Sequence, residues 1–379
     1  MVYGMEALYL HPMNLMTILW IIFVLMFAKT TENVFGTSIN NEYFSKDSSK
    51  NYRGIFILAI ILHHIAQETS TGILFHSHFC NMGELSVAIF FFISGYGLQK
   101  SHITKKDYNK HFLAKRLPNI LLPFSIIVLI RLIQCTCNGT IYSFKNILVN
   151  IVRGELIVPF SWYVVAITFF YIMFWMLMKV CRKHYFMMII GASIGYIVYT
   201  ILCIKVGNDI WWYLSTPAFI LGMFWSTYEK YIDKELKERQ WMYWILLIIS
   251  LFFVILLFVK YDEIKNILTF TGAESLIVIV RNLLFSINFV LVTMKLKIGN
   301  KATTFFGEMS LELYLIQGVF IKEIDFGIKN EFLWCIFVLV STIFVAYFFH
   351  KLDNALLSRY KNWLMHKVNK HTVKNEKVD

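Results

Sequence analysis

Long apolar stretches recur along the whole chain, and the connections between them are too short to fold alone. No other feature limits the fold as much. Eleven such stretches lie near residues 9–28, 54–70, 78–98, 119–135, 160–178, 185–204, 210–228, 241–259, 272–294, 302–321 and 332–349. Each approaches the ~20 residues that a helix needs to cross a bilayer. The longest connections, 29–53 and 136–159, have about 24 residues. Of the 379 residues, 58% are hydrophobic and 16% charged, whereas a soluble domain is about 25% charged. The expected fold is therefore an all-α, polytopic transmembrane helical bundle of about eleven spans, in contact with membrane lipid. The first stretch has neither a basic leader nor a small-residue cleavage site. It reads as a retained span that packs at the periphery.

The net charge of +12 raises the question of nucleic acid, and the placement of the charge answers it. Alternating the connections between two sides puts 27 of the 36 Lys and Arg on one side and 7 on the other. Arg131 and Arg281 fall within stretches. By the positive-inside rule the rich side is cytoplasmic. The amino terminus is then outside, the carboxyl terminus cytoplasmic, and the protein resides in the plasma membrane. No nucleic-acid partner is implied. The basic tail carries Leu356, Leu357, Tyr360, Trp363 and Leu364 at helical spacing, which predicts a segment lying on the inner membrane surface. The six cysteines are scattered. Only Cys135 and Cys137 are close, without a second pair for zinc, so they read as buried, inert thiols and no metal is expected.

Arg53 and His64 stand eleven residues apart in an otherwise apolar stretch, about 16 Å along a helix. Arg53 then lies at one membrane surface and His64 deep in the hydrocarbon, where an ionisable group is costly and signals function. Glu68 follows one turn later on the same face. It either fixes the tautomer of His64, as a general base requires, or faces outer water. His63 points about 100° away, so only one of the two histidines is expected to face a shared site. Ser94, Gly95 and Gly97 permit close helix approach. Lys115 and Arg116 abut the start of the fourth stretch, on the same side as Arg53. Guanidinium groups there suit phosphate. Arg281 is either a structural partner to a carboxylate or part of a substrate path.

These residues resemble a known family. Arg53 and His64 at this spacing, then Phe91-Phe92-Ile93-Ser94-Gly95-Tyr96, then Lys115-Arg116 before Pro123-Phe124, are similar to the acyltransferase-3 family of integral membrane acyltransferases. Ser161-Trp162-Tyr163, Phe219-Ile220-Leu221-Gly222 and the stretch from Gly307 through Ser310, Glu312 and Tyr314 to Gln317 follow in order. The resemblance spans about 51–349. It implies a ten-helix core, with 1–50 forming an extra span and its connection and 350–379 a basic cytoplasmic tail. It further implies O-acylation: an acyl group, most often acetyl, passes from cytoplasmic acyl-CoA (acetyl-CoA) to a hydroxyl of an envelope or exported carbohydrate.

On that resemblance His64, helped by Glu68, is catalytic, and Arg53, Lys115, Arg116, Ser94 and Tyr96 line the acyl-CoA side. Glu84, Trp162, Tyr163 and Gln317 are expected at the acceptor, where aromatic faces and carboxylates suit a sugar. Two departures stand out. Arg116 is followed by Leu117-Pro118-Asn119, so the second arginine of the family's basic pair is missing. A late family histidine is replaced by Gln317, which hydrogen-bonds but does not shuttle protons at neutral pH. The alternative reading is a secondary transporter or flippase of a glycan or small polar solute. No inverted repeat or Gly/Pro-broken span supports it.

The charge distribution predicts that a single cysteine at position 106, in a cysteine-free background, reacts with an impermeant maleimide only in inside-out vesicles. Labelling in right-side-out vesicles overturns the topology.

Overall fold

The computed structural model describes residues 12–26, 28–30, 38–153, 157–268 and 272–375. The start of the first apolar stretch and the end of the tail lie outside the described residues. Within them the chain is an all-α bundle, because a backbone crossing lipid must satisfy its own hydrogen bonds. In order, the elements are α1 (Pro12–Met26), β1 (Ala28–Thr30), α2 (Lys46–Glu68), α3 (Ile73–Phe79), α4 (Met82–Thr104), α5 (Phe112–Arg116) and α6 (Pro118–Cys137). Next come α7 (Phe144–Arg153), α8 (Trp162–Cys181), α9 (Tyr185–Val206), α10 (Trp211–Leu214), α11 (Pro217–Glu238) and α12 (Gln240–Val259). The chain closes with α13 (Tyr261–Ile267), α14 (Ala273–Lys295), β2 (Leu296–Ile298), α15 (Lys301–Glu308), α16 (Ser310–Lys322) and α17 (Glu331–Asn375).

Among the described residues seven helices are long and apolar enough to cross a membrane: Phe75–Thr104, Pro118–Cys137, Trp162–Cys181, Tyr185–Val206, Gln240–Val259, Ala273–Lys295 and Glu331–Leu364. The other four apolar stretches are helical but differ for physical reasons. Pro12–Val24 is apolar but shorter. The stretch at 54–70 belongs to α2, which starts earlier, where Ser45 caps it by accepting from the Ser48 N–H at 3.1 Å. Its first two turns are polar. α11 ends in a charged run from Glu229 to Glu238. The stretch at 302–321 is broken at Met309 into α15 and α16.

The connections gather at two ends. At one, β1 pairs antiparallel with β2, setting Ala28 opposite Ile298. There too Lys295 Nζ reaches the Ser38 carbonyl at 3.0 Å, and Asn51 Oδ1 accepts from Thr303 Oγ1 at 2.7 Å. At the other, Glu331 accepts from the backbone N–H and hydroxyl of both Ser70 and Thr71, and Arg131 pairs with Glu323 at 2.7 Å. The first end holds the Lys/Arg-rich connections. α1 packs on α3, where Asn14 Oδ1 accepts from the Phe75 N–H at 3.2 Å. The tail does not lie flat. It continues the last span as one helix of 45 residues, roughly 67 Å long and far longer than the bilayer core, and Tyr360 donates to the Ala114 carbonyl at 3.2 Å.

Glycines set the inner packing. A β-carbon on Gly95 of α4 would fall 1.9 Å from the Phe219 carbonyl oxygen of α11, and one on Gly222 would fall 2.2 Å from that of Phe92. A β-carbon on Gly54 of α2 would fall 1.9 Å from the Thr303 carbonyl oxygen of α15, and one on Gly307 would fall 1.8 Å from that of Lys50. A β-carbon on Gly97, expected to share this role, would meet nothing within 4 Å. Outside this layer α9 and α12 present apolar side chains such as Ile194 and Ile248 outward.

Gly95→Ala and Gly222→Ala should each destabilise the protein by at least the roughly 1–3 kcal/mol typical of overpacking, whereas Gly97→Ala should be neutral. Melting temperatures in detergent, followed by size-exclusion monodispersity, report the difference.

Candidate active site

α2 carries both ends of the site. Arg53 lies near its start, half-buried, and its Nε is sealed without a hydrogen bond. Its polar surroundings are Tyr163 and Tyr171 of α8 and Glu312 of α16. Glu312 is already committed to His350 Nδ1 at 2.7 Å. Among the described residues Arg53 therefore has no ion pair, so an anionic group fits there. Arg116 donates to the Tyr108 hydroxyl at 2.9 Å and also faces that ring. The Phe112 ring meets both Tyr108, at 5.5 Å, and Tyr171, at 6.5 Å. Lys115 is exposed beside Arg116.

Ser94 adjoins Tyr163 on the Arg53 side of α4. Tyr96 does not join it. Two helical residues are turned about 200° apart, so Tyr96 faces α11 and donates to Glu229 at 2.5 Å, which also binds Lys100. Beside this pair, Trp225 donates to Tyr43, and Tyr43 to Asp233 at 2.9 Å. Burial pushes the Asp233 carboxyl up to about 6, against the lowering effect of Tyr43. Tyr96 belongs to this latch between helices and not to the wall around Arg53, which corrects its assignment from the sequence.

His64 is buried, with its ring stacked on Phe160 at 3.8 Å and 9°. Glu68 is not its partner: it is exposed, reaches the bundle surface and pairs with Lys322. The expected tautomer-fixing role therefore fails on geometry. His64 Nδ1 is sealed without a hydrogen bond, while Gln317, completely buried, lies against the ring. His63 also lines the site, contrary to the expectation that only one histidine would. Its Nδ1 sits 2.9 Å from the Phe79 carbonyl, and its ring fills the space that Gly83 leaves open.

These groups bound a cavity of about 670 Å³ at the end poor in Lys and Arg. His63, His64 and Tyr314 line it, as do Trp162, Trp211 and Trp212. Glu84 lines it too, bound to Arg281 at 2.8 Å, and Arg281 also lies 4.3 Å over the Phe258 ring. Arg281, open in the sequence reading, is thus a carboxylate partner in the cavity wall. Asp209 and Asp262 add carboxylates at the rim. Tyr163, next in sequence to Trp162, turns away from the cavity and meets Tyr314 at 5.6 Å, so it is not at the mouth where the sequence put it. The thiols differ from expectation as well. Cys137 is exposed, and Cys80 lines the cavity with its Sγ 3.3 Å from His76 Nε2.

Phe160 was missed by sequence reasoning. It holds φ +63, a region costly for a bulky residue, and its carbonyl accepts the Tyr314 hydroxyl. The neighbouring Pro159 is met closely by Gly318, where a β-carbon would lie 2.5 Å from the Pro159 carbonyl oxygen. Nothing in the local sequence marks that strained conformation.

The fold and site thus define a polytopic membrane protein with a buried histidine at the wall of an aromatic cavity and an unpaired arginine further along the same helix. A family model described as an acyltransferase domain matches residues 49–351. The chain belongs to the acyltransferase-3 family and is a membrane acyltransferase. No curated relative and no solved structure matches it.

Removing one member of a buried ion pair costs roughly 3–5 kcal/mol when both are enclosed. With the Glu84 side chain 30% exposed, Glu84→Ala should fall below that range, and the double variant Glu84→Gln/Arg281→Met should recover most of the loss. Equal melting temperatures for single and double variants would contradict the pairing.

Proposed function

We propose that the protein is an O-acyltransferase that moves an acyl group, acetyl in the simplest case, from acyl-CoA on the cytoplasmic side to a carbohydrate hydroxyl. The observation that carries this reading is the cavity that His64, on the same helix as Arg53, lines together with Trp162, Trp211 and Trp212. A cavity of this size accommodates a sugar residue. Trp162, Trp211 and Trp212 suit the apolar face of a sugar ring, and Glu84, Asp209 and Asp262 accept hydrogen bonds from its hydroxyls.

In the proposed reaction His64 takes the proton of the acceptor hydroxyl as its oxygen attacks the thioester carbonyl. The tetrahedral intermediate collapses, the carbon–sulfur bond breaks and the oxygen ester forms. The sulfur leaves as CoA thiolate, and the proton held by His64 neutralises it. His64 is thereby returned to its neutral form. Arg53, Lys115 and Arg116 would hold the phosphates of the donor. The unpaired state of Arg53 supports this, since a buried guanidinium without a carboxylate retains its full capacity for an anion. The acceptor would enter from the side opposite the donor, through the rim at Asp209 and Asp262.

His64→Ala should abolish acetyl transfer from acetyl-CoA to neutral oligosaccharides in detergent while leaving the melting temperature unchanged, and His63→Ala should be far milder. Arg53→Ala should raise the KM for acetyl-CoA about ten- to a hundred-fold, the ~1.5–3 kcal/mol of one charge-assisted contact. Transfer that survives His64→Ala sinks the reading. A higher acceptor KM in Arg53→Ala, with the donor KM unchanged, would move the donor elsewhere.

A further inference from the structure

Gln317 is 0% exposed, and neither its Oε1 nor its Nε2 has a hydrogen-bond partner. A primary amide brings two donors and an acceptor into the interior, and leaving them unmet is costly. His64 Nδ1 is equally sealed and equally without a partner, and Gln317 lies against this ring. Two buried, complementary groups therefore face each other, and the nearest carboxylate along the helix, Glu68, is engaged by Lys322.

The surroundings fix both groups. Phe160 covers one face of the His64 ring, and α16 grips the segment carrying Phe160 at two points. Tyr314 donates to the Phe160 carbonyl, and Gly318 closes on Pro159. Gln317 lies between those two anchors. Since Nδ1 is sealed and His64 lines the cavity, Nε2 is the nitrogen left to reach a substrate.

We propose that Gln317 is the positioning residue for His64: its Oε1 accepts the Nδ1–H and holds the neutral ring in the tautomer whose Nε2 lone pair faces the cavity. This rests on the reading of His64 as the base. An amide takes up no proton, so the proton gained by His64 stays on that ring until the leaving sulfur removes it. The charged and titratable groups around His64 are His63 on its own helix, Lys322 with Glu68, the Tyr314 phenol, and the Glu84–Arg281 pair across the cavity.

The test is nitrogen NMR on full-length protein labelled with [15N]histidine, with the His64 signals identified by their loss in His64→Asn. The expected wild-type ring carries its proton on Nδ1, and Gln317→Leu should shift it to a mixture or to Nε2. A wild-type ring protonated on Nε2, or a spectrum unchanged by Gln317→Leu, overturns the inference whether or not His64 is the base. Steady-state turnover with acetyl-CoA gives the second readout. Gln317→Leu should lower kcat about ten- to a hundred-fold, as for one lost charge-assisted hydrogen bond, with the KM for acetyl-CoA unchanged. Gln317→Glu should restore turnover and move the acidic limb of the pH profile upward, because a carboxylate stabilises the imidazolium. A merely structural role would leave that limb in place and would overturn the proposal. Activity retained in His64→Ala would instead sink the acyl-transfer reading while leaving the tautomer result intact.

Discussion

The backbones of α4 and α11 touch: the Phe219 carbonyl stands where any β-carbon at position 95 would need to be, and the Phe92 carbonyl does the same at position 222. In lipid, apolar side chains gain little by meeting one another, so helices associate through close packing and polar contacts. Direct backbone contact gives the tightest packing available. The same device seats α2 against α15 through Gly54 and Gly307. With α2 held in this way and α4 fixed on α11, the positions of Arg53, His64 and Ser94 follow. The outer helices have more freedom, since α9 and α12 turn much of their apolar surface outward.

Buried charge separates scaffold from site in this interior. Arg131 is paired with Glu323 and bonded to the Ile157 carbonyl, Arg281 with Glu84, and Glu312 with His350. Each is a desolvated charge balanced by a partner, as burial demands. Arg53 breaks the rule, with a sealed Nε and no ion pair. His64 and Gln317 break it together. These three lie along α2 and the face of α16 that meets it, while other unmet buried polar atoms, such as Asp353 Oδ1 and Asn282 Oδ1, lie elsewhere in the bundle.

The all-α bundle was legible because apolar periodicity acts within one helix, and the grouping of connections was legible because basic residues mark it. The count of spans was not fully so: α2 and α11 are too polar and α15–α16 too broken to pass as simple spans, since they pack inside the protein rather than against lipid. That Arg53 and His64 share one helix could be read from spacing alone. Glu68 could not, because its fate depends on Lys322, more than 250 residues away in sequence. Adjacent residues misled for a geometric reason. Ser94 and Tyr96, or Trp162 and Tyr163, share a motif but occupy different helix faces, and only packing decides which face meets the site. Phe160 and the Arg281–Glu84 pair are long-range contacts with no local signature.

The site is polarised along α2, and this bears on how two unlike substrates meet. Basic groups lie at the Arg53 end, where Arg116 donates to Tyr108. Carboxylates lie at the other, with Glu84, Asp209, Asp262 and Glu274 around the cavity. Between them the interior offers hydroxyl groups, Ser94, Tyr163 and Tyr314, and no net charge of its own. On the proposed reading the phosphates of the donor are drawn to one pole and repelled from the other. Only its neutral arm extends toward His64, across the ~16 Å of eleven helical residues. The acceptor meets carboxylates and tryptophans at its own pole, which favour hydroxyls over phosphate. On that reading each substrate is kept from the other's entrance by charge, and the reacting atoms meet at His64.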